Sequence, residues 1–369
     1  MSGAVPADDR RLAGPVRIVG TGLLGTSIGL ALSERGVDVS LADASPASLA
    51  LAVDYGAGRP AGVHDEPRLV VVCVPPDVTA AVVAAELAAH PSALVTEVAS
   101  VKLAPLEQLR ELGADLSRYL GSHPMAGRER GGPIAARADL FIGRPWVIAG
   151  HDGIRYTDGG PIEDLILDLG ATPIEMTAEE HDRSVALVSH VPQVVSSLMA
   201  ARLAEASDAA AGLAGQGVRD VTRVAASDPA LWVQILGANA GPVHEALVAL
   251  RADLDGVIGA LEDPTASGAR RAVAEALAAG NAGVARLPGK HGTRTQFASI
   301  VVMIDDRPGE LGRLLVEIGE IGVNMEDLRL EHSPGAQIGL AEIAVLPEAE
   351  QRLSEELERR GWRIAGAWQ

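Results

Sequence analysis

From Val16 to about Glu175, short apolar runs alternate with stretches whose apolar residues recur every three to four positions. Runs of strand length separated by helical segments predict a parallel sheet joined by crossover helices. The predicted strands are Val16 to Val19, Val37 to Ala42, Leu69 to Val74, Ala93 to Val98, Tyr119 to Ser122 and Trp146 to Ala149. Gly36, Pro75, Pro76, Pro91 and Gly143 punctuate their connections. From Thr177 to Ala285 the pattern becomes long Ala- and Leu-rich segments with helical spacing and no convincing strand. Three of them, Val185 to Ala206, Leu231 to Ala240 and His244 to Leu261, are too apolar on one face to stand alone in water, so a second copy of the chain is the expected cover.

Arg286 to Gln296 is basic, polar and broken by Pro288 and Gly289, the pattern of a linker. Beyond it Phe297 to Ile304 reads as a strand, and Leu311, Leu314, Leu315 and Ile318 recur at helical spacing. Asn324 to Glu331 and Gln337 to Leu346 read as strands around a turn at Pro334 and Gly335, Glu348 to Arg360 as a helix, and Trp362 to Ile364 as a last strand. The order is βαββαβ. The expected boundaries are 14–176 for an α/β domain, 177–285 for an all-α domain, 286–296 for a linker and 297–369 for the small α/β unit.

A chain of 369 residues suits two or three such domains. Its 47% hydrophobic content comes mainly from Ala, Val and Leu, with only Phe141 and Phe297 as phenylalanines, which leaves little aromatic surface for stacking bases. A formal charge of −18 repels phosphate backbones and anionic lipid, so neither nucleic acid nor membrane is an expected partner, and any arginine that meets an anionic substrate becomes informative. Cys73 is the only cysteine and sits in an apolar run, which excludes a disulfide framework within the chain. The polar start Met1 to Arg11 lacks a signal-peptide core, and no stretch reaches roughly 18 uninterrupted apolar residues. The expected location is the cytoplasm. The nine histidines show no metal-ligand spacing, so no metal is expected.

Candidate chemistry begins at Gly20-Thr21-Gly22-Leu23-Leu24-Gly25, a G-x-G-x-x-G directly after the first strand and opening a helix. Gly20 permits the tight turn, Gly22 lets a pyrophosphate approach the backbone, and Gly25 lets helix and strand pack closely. The helix N-terminus offers free N–H groups to the phosphates. Asp43 ends the second strand, 18 residues after Gly25, where a carboxylate accepts from the ribose hydroxyls and repels a 2′-phosphate; the plainer reading is a loop aspartate. The turn predicts a Rossmann-type doubly wound parallel sheet that binds NAD through Gly20, Gly22, Leu23, Leu24, Gly25 and Asp43, with Val74 and Pro75 at the next strand end.

At the carboxyl ends of the fourth and fifth strands lie Glu97-Val98-Ala99-Ser100-Val101-Lys102 and Gly121-Ser122-His123-Pro124-Met125-Ala126-Gly127-Arg128-Glu129. From position alone, His123 is either a general base or a capping histidine at the edge of the core. These segments, with Leu187-Val188-Ser189-His190-Val191-Pro192, Asp220-Val221-Thr222-Arg223 and Trp232, resemble the TyrA group of prephenate and arogenate dehydrogenases over about Val16 to Leu261. That resemblance implies NAD-dependent oxidative decarboxylation, with prephenate the expected substrate and arogenate the alternative. It implies that His123 takes the hydroxyl proton, that Ser100 hydrogen-bonds the same hydroxyl and fixes the tautomer of His123, and that Arg223 pairs with a substrate carboxylate. Without it, Arg223 reads as a surface ion pair with Asp220 or Asp228. His190 is implied as a further active-site histidine. Gln193 replaces a second histidine common in the family and faces the substrate side chain; Arg128 stands where threonine is common and adds positive charge beside the substrate or pairs with Glu129; Lys102 is expected to play a structural part.

Asp305-Asp306-Arg307-Pro308-Gly309-Glu310-Leu311-Gly312 and Ile321-Gly322-Val323-Asn324-Met325 resemble an ACT domain, a small-molecule regulatory module. The resemblance implies an aromatic amino-acid effector, against a unit that only dimerises. Two rivals remain. A β-hydroxyacid dehydrogenase would carry a lysine on the first long interdomain helix, and this chain has only Lys102 and Lys290. A non-catalytic sensor of NAD and an amino acid predicts a degraded set, whereas Ser100, His123 and Arg223 are all present.

Overall fold

The computed structural model describes residues 10–127, 131–287, 297–332 and 338–365. They divide into two compact units, one comprising the chain up to Ala206 together with Val221–Leu250, the other Ser207–Asp220 together with the chain from Arg251 onward.

In the first unit, β1 (Val16–Val19), β2 (Val39–Ala42), β3 (Arg59–Pro60), β4 (Leu69–Val72), β5 (Leu94–Glu97), β6 (Tyr119–Pro124), β7 (Pro145–Gly150) and β8 (Thr172–Thr177) form one sheet in the order β3-β2-β1-β4-β5-β6-β7-β8. Helices α1 (Leu23–Glu34), α2 (Pro46–Asp54), α3 (Pro76–Ala89), α4 (Leu103–Glu111) and α5 (Gly160–Asp168) connect the strands. The continuous apolar run of β4 has its reason in burial on both faces. Leu69 and Val71 enter a core with Ile28, Leu32 and Trp146, while Val70 and Val72 enter a second core with Val83, Val95, Leu106 and Tyr119. Successive strands spread in opposite directions from β1 and β4, which opens a crevice at the carboxyl ends of these two strands.

The sheet differs from the sequence-based expectation at β3, a two-residue edge strand not among those predicted, and at β7 and β8. The strand containing His123 runs on to Pro124, and β7 lies antiparallel to it, with Gly121 opposite Ala149 and Pro124 opposite Trp146. The described part of the β6–β7 connection contains only the short turn Pro133–Ala135 in place of a crossover helix, so nothing forces the parallel sense. The edge strand β8, which the sequence pattern did not predict, pairs parallel with β7 and is mostly exposed, so no apolar alternation marks it.

Next come α6 (Ala178–Val185), a widened π turn at Ala186–His190, and α7 (Val191–Leu203). The widening falls just before Pro192, which has no N–H to give to the preceding turn. Helices α8 (Asp208–Gly212), α9 (Gln216–Thr222), α10 (Pro229–Ala238) and α11 (Ala240–Glu262) follow. The segment 177–285, expected as one helical body, is divided between the two units, and α11 passes from one to the other. Ala178–Leu203 is long and apolar enough to cross a membrane by length and composition. It nevertheless buries His181, Asp182, His190, Gln193 and Ser196 while leaving Leu187, Val188 and Leu198 exposed, the reverse of a lipid-facing helix.

The second unit contains α12 (Ala269–Val284) and an antiparallel sheet in the order β10-β11-β9-β12, built from β9 (Ala298–Asp305), β10 (Asp327–His332), β11 (Ile338–Val345) and β12 (Arg363–Ala365). Helices α13 (Glu310–Ile321) and α14 (Pro347–Arg359) cover one face through Leu314, Ile318, Leu353 and Leu357, which pack on Val302 and Ile343. This is the expected βαββαβ order, with α13 entered at Gly309 and ended at Gly322, both at positive φ. Residues 288–296 of the expected linker, and the turn at Pro334 and Gly335, lie outside the described residues.

Candidate active site

The glycine turn is built as its sequence requires. Gly20 has φ +98°, and a Cβ there would lie 2.3 Å from the Cys73 carbonyl oxygen at the end of β4. A Cβ on Gly25 would lie 1.9 Å from the Gly20 oxygen, so only glycine lets α1 pack this closely on the turn. Around Gly22, by contrast, nothing lies within 4 Å of an added Cβ. Gly22 starts α1 with no side-chain cap and no acidic residue in the first turn, so the N–H groups of Leu23 and Leu24 face an open, anion-ready cradle. Val74 borders the turn at Gly20, and Pro75 caps α3 next to it. Asp43 reaches back to the turn, accepting from the Thr21 N–H at 2.6 Å, the Thr21 hydroxyl at 2.8 Å and the Ser45 N–H at 2.7 Å. These residues fit a dinucleotide: the open N-terminus of α1 at Gly22 suits an anion, and the Asp43 carboxylate is an acceptor beside it. Beneath the turn, burial pushes the Cys73 thiol well up.

The second cluster lies where β5 and β6 end. A capping box of Thr177 and Glu180 starts α6 and so brings His181 and Asp182 under the sheet. Asp182 accepts from the backbone N–H groups of Lys102, at 2.8 Å, and Leu103, at 3.0 Å, at the start of α4. Its Oδ1 also lies 2.7 Å from Nδ1 of His181, whose Nε2 lies 2.8 Å from Nδ1 of His123. His123 and His181 are both buried. Burial holds His123 well below the usual 6.5, helped by positive charge on His181, Lys102 and His190. His181 is lowered mainly by burial, with the Asp182 hydrogen bond acting against it.

His190, at the end of the π turn, accepts at Nδ1 from Asn239 Nδ2 at 3.1 Å, and the same amide donates to the Asp182 carbonyl at 2.8 Å. That carbonyl can only accept, which fixes Asn239 as the donor and leaves His190 its proton on Nε2. The ring meets Trp232 edge-on at 6.0 Å, and burial lowers its pKa to about 4. At neutral pH the site therefore presents uncharged imidazoles.

Behind His123 runs a buried charge pair. Lys102 Nζ donates to Glu97 and, at 2.6 Å, to the Ser122 carbonyl, while Glu97 also accepts from Tyr119 at 3.2 Å and from the Ala99 N–H at 2.7 Å. Burial pushes Glu97 up and Lys102 down, each opposed by the other's charge. The structural part expected of Lys102 is thus visible as an anchor for the strand end carrying His123.

The other anticipated residues are placed as follows. Ser100 lies on the β5–α4 loop, and among the described residues its hydroxyl has no hydrogen-bond partner, while Nδ1 of His123 meets His181. Gln193, buried one turn beyond His190, accepts weakly from Ser227 at 3.4 Å. Arg223 opens the short turn Arg223–Ala225, which packs on α7. It is exposed and has no ion pair among the described residues. Asp220 is bonded to Gln216 and Asp228 caps α10, so the surface pairs considered for Arg223 are otherwise engaged. Arg128 lies outside the described residues. Sequence reasoning missed His181, Asp182 and Asn239; the capping box was the local signal for the first two, and Asn239 stands apart at the end of α10.

A glycine-turn nucleotide cradle on a doubly wound sheet, with a buried histidine at the end of β6 backed by histidines of α6 and the π turn, defines a nucleotide-dependent dehydrogenase. Residues 28–157 match the prephenate dehydrogenase nucleotide-binding domain and residues 177–275 the prephenate dehydrogenase dimerization domain. The chain is 38% identical over 361 residues to "Probable prephenate dehydrogenase NovF" of Streptomyces niveus, covering 94% of this chain and 98% of that one. It is 30% identical over 253 residues to the cyclohexadienyl dehydrogenase of Zymomonas mobilis, covering 65% of this chain and 85% of that one. The crystal structure of prephenate dehydrogenase from A. aeolicus, in complex with hydroxyphenyl propionate and NAD+, shares the fold with a TM-score of 0.64 at 23% identity over 74% of this chain and 99% of that one. This chain belongs to the prephenate dehydrogenase family.

Proposed function

We propose that the protein oxidises and decarboxylates prephenate to 4-hydroxyphenylpyruvate in tyrosine biosynthesis, with NAD held on the turn from Gly20 to Gly25 and its ribose on Asp43. The observation that carries this reading is His123, neutral and buried at the carboxyl end of β6, the same end of the sheet as the cradle after β1. When bound there, NAD would supply the two-electron sink for the hydride that leaves the ring carbon bearing the hydroxyl. His123 takes the hydroxyl proton as that carbon gains carbonyl character. The bond from the ring to its carboxylate then breaks, CO2 leaves, and its electrons make the ring aromatic; the phenolate oxygen recovers the proton from His123. Arg223 binds a substrate carboxylate with its planar fork, offsetting the repulsion of a protein with charge −18. Ser100 donates to the reacting hydroxyl, His190 offers Nε2–H to the substrate, and Gln193 lines the side-chain end.

The assembly proposed is a homodimer in the cytoplasm, through the exposed apolar residues of α7 and α11 within the matched dimerization region. The βαββαβ unit is proposed as an ACT-like module for an aromatic amino acid, with Gly309 at its ligand-facing turn. One assay tests the reading: NADH formation by absorbance with prephenate, then arogenate, then each with added tyrosine. Turnover of prephenate with NAD, slowed by tyrosine, is expected. Preference for arogenate would move the assignment to the alternative substrate, and turnover of neither would refute it.

A further inference from the structure

The line of contacts Asp182, His181, His123 has a direction that each hydrogen bond enforces in turn. Asp182 accepts two backbone N–H groups from the first turn of α4, so its carboxylate is an acceptor held in place from outside the site. An acceptor at 2.7 Å from Nδ1 of His181 requires the His181 proton on Nδ1. Neutral His181 then has its lone pair on Nε2, and the 2.8 Å contact with Nδ1 of His123 is closed only by a proton on His123 Nδ1. The lone pair of His123 is left on Nε2, the nitrogen with no hydrogen bond among the described residues.

We propose that His181 and Asp182 are positioning residues of the dehydrogenase: held by the α4 backbone, they set the tautomer of His123 so that Nε2 faces the substrate as a lone pair. The inference rests on the reading of His123 as the base and extends it, since Ser100 and the substrate do not decide which nitrogen carries the proton. As the substrate hydroxyl gives its proton to Nε2, the Nδ1–H stays on His123 and its bond to His181 strengthens, because the new imidazolium is a better donor.

The test uses the full-length enzyme with NAD bound and reads the tautomer directly. Imidazole 15N shifts, assigned to His123 by difference against His123→Asn, are expected to show the Nδ1–H form in the wild type. His181→Leu removes the acceptor and is expected to move His123 toward the Nε2–H form. It should lower kcat about tenfold to a hundredfold with KM within about threefold. His181→Gln keeps a carbonyl for His123 and an amide N–H for Asp182, and should recover most of the lost kcat. A wild-type ring found in the Nε2–H form would overturn the proposal, and that measurement stands even where the leucine variant fails to fold. Equal losses in the leucine and glutamine variants, with the tautomer unchanged, would also overturn it. Retention of kcat by His123→Asn would instead remove the base assignment, and leaves the tautomer measurement to decide the positioning role separately.

Discussion

At the scale of single residues, His123 and Arg223 have opposite surroundings, and opposite kinetics follow. His123 is enclosed, so its truncation removes chemistry: His123→Asn should lower kcat by about 10² to 10⁴ while KM changes little, in steady-state NADH assays. Arg223 is exposed and unpaired among the described residues, so Arg223→Ala should raise KM for prephenate about tenfold to a hundredfold and spare kcat. The reverse pattern would exchange the two roles. A base works in its neutral form, and burial holds His123 well below 6.5. As pH falls, the neutral fraction is therefore retained past 6.5, and the acid limb of kcat/KM should fall below pH 6.5; a limb at 7 or above would exclude His123. These two residues were legible through their motifs. His181 was not, because in the sequence it is one more histidine on a polar helix start, and only the fold of α6 beneath the end of β6 carries it to His123.

At the scale of elements, the turn between β1 and α1 separates packing from ligand binding. Gly25 packs against the Gly20 carbonyl, so Gly25→Ala should lower the thermal midpoint as well as NAD affinity. Gly22 faces open space at ordinary φ, so Gly22→Ala should leave the midpoint nearly unchanged yet weaken NAD binding about tenfold or more, read by fluorescence titration and thermal unfolding on the same samples. Asp43→Ala should narrow the preference for NAD over NADP by about tenfold, equivalent to ~1.4 kcal/mol, measured as the ratio of kcat/KM for the two cofactors. The element pattern was readable where one period ruled: β1, β4, β5 and all six elements of the βαββαβ unit fall where apolar alternation and punctuation put them. It failed at β8, an exposed edge whose pairing with β7 comes from backbone hydrogen bonds that no side-chain pattern records.

At the scale of the whole molecule, α7 and α11 each carry large apolar residues that are exposed among the described residues. Leu254 is 55% exposed and Ile258 49%, one turn apart on α11, where Val243 is the buried residue of the helix. A charge there would be desolvated in a dimer and harmless in a monomer. Leu254→Glu should therefore shift the sedimentation profile from dimer to monomer at micromolar concentration, without loss of helix content by circular dichroism. An unchanged profile would place the interface elsewhere.

The sequence alone determined what is local or periodic: the strand and helix alternation, the glycine turn, the acidic residue ending β2, and the short motifs around His123, His190 and Arg223. Those signals survive in one dimension because they depend on neighbours within a turn or a strand. Only the tertiary structure decided the antiparallel seating of β7, the division of the helical region between two units, and the hydrogen-bonded line from the α4 backbone through Asp182 and His181 to His123. That line joins residues 58 and 80 positions apart, and a hydrogen bond of fixed direction leaves no mark on the chain until folding brings its two ends within 3 Å.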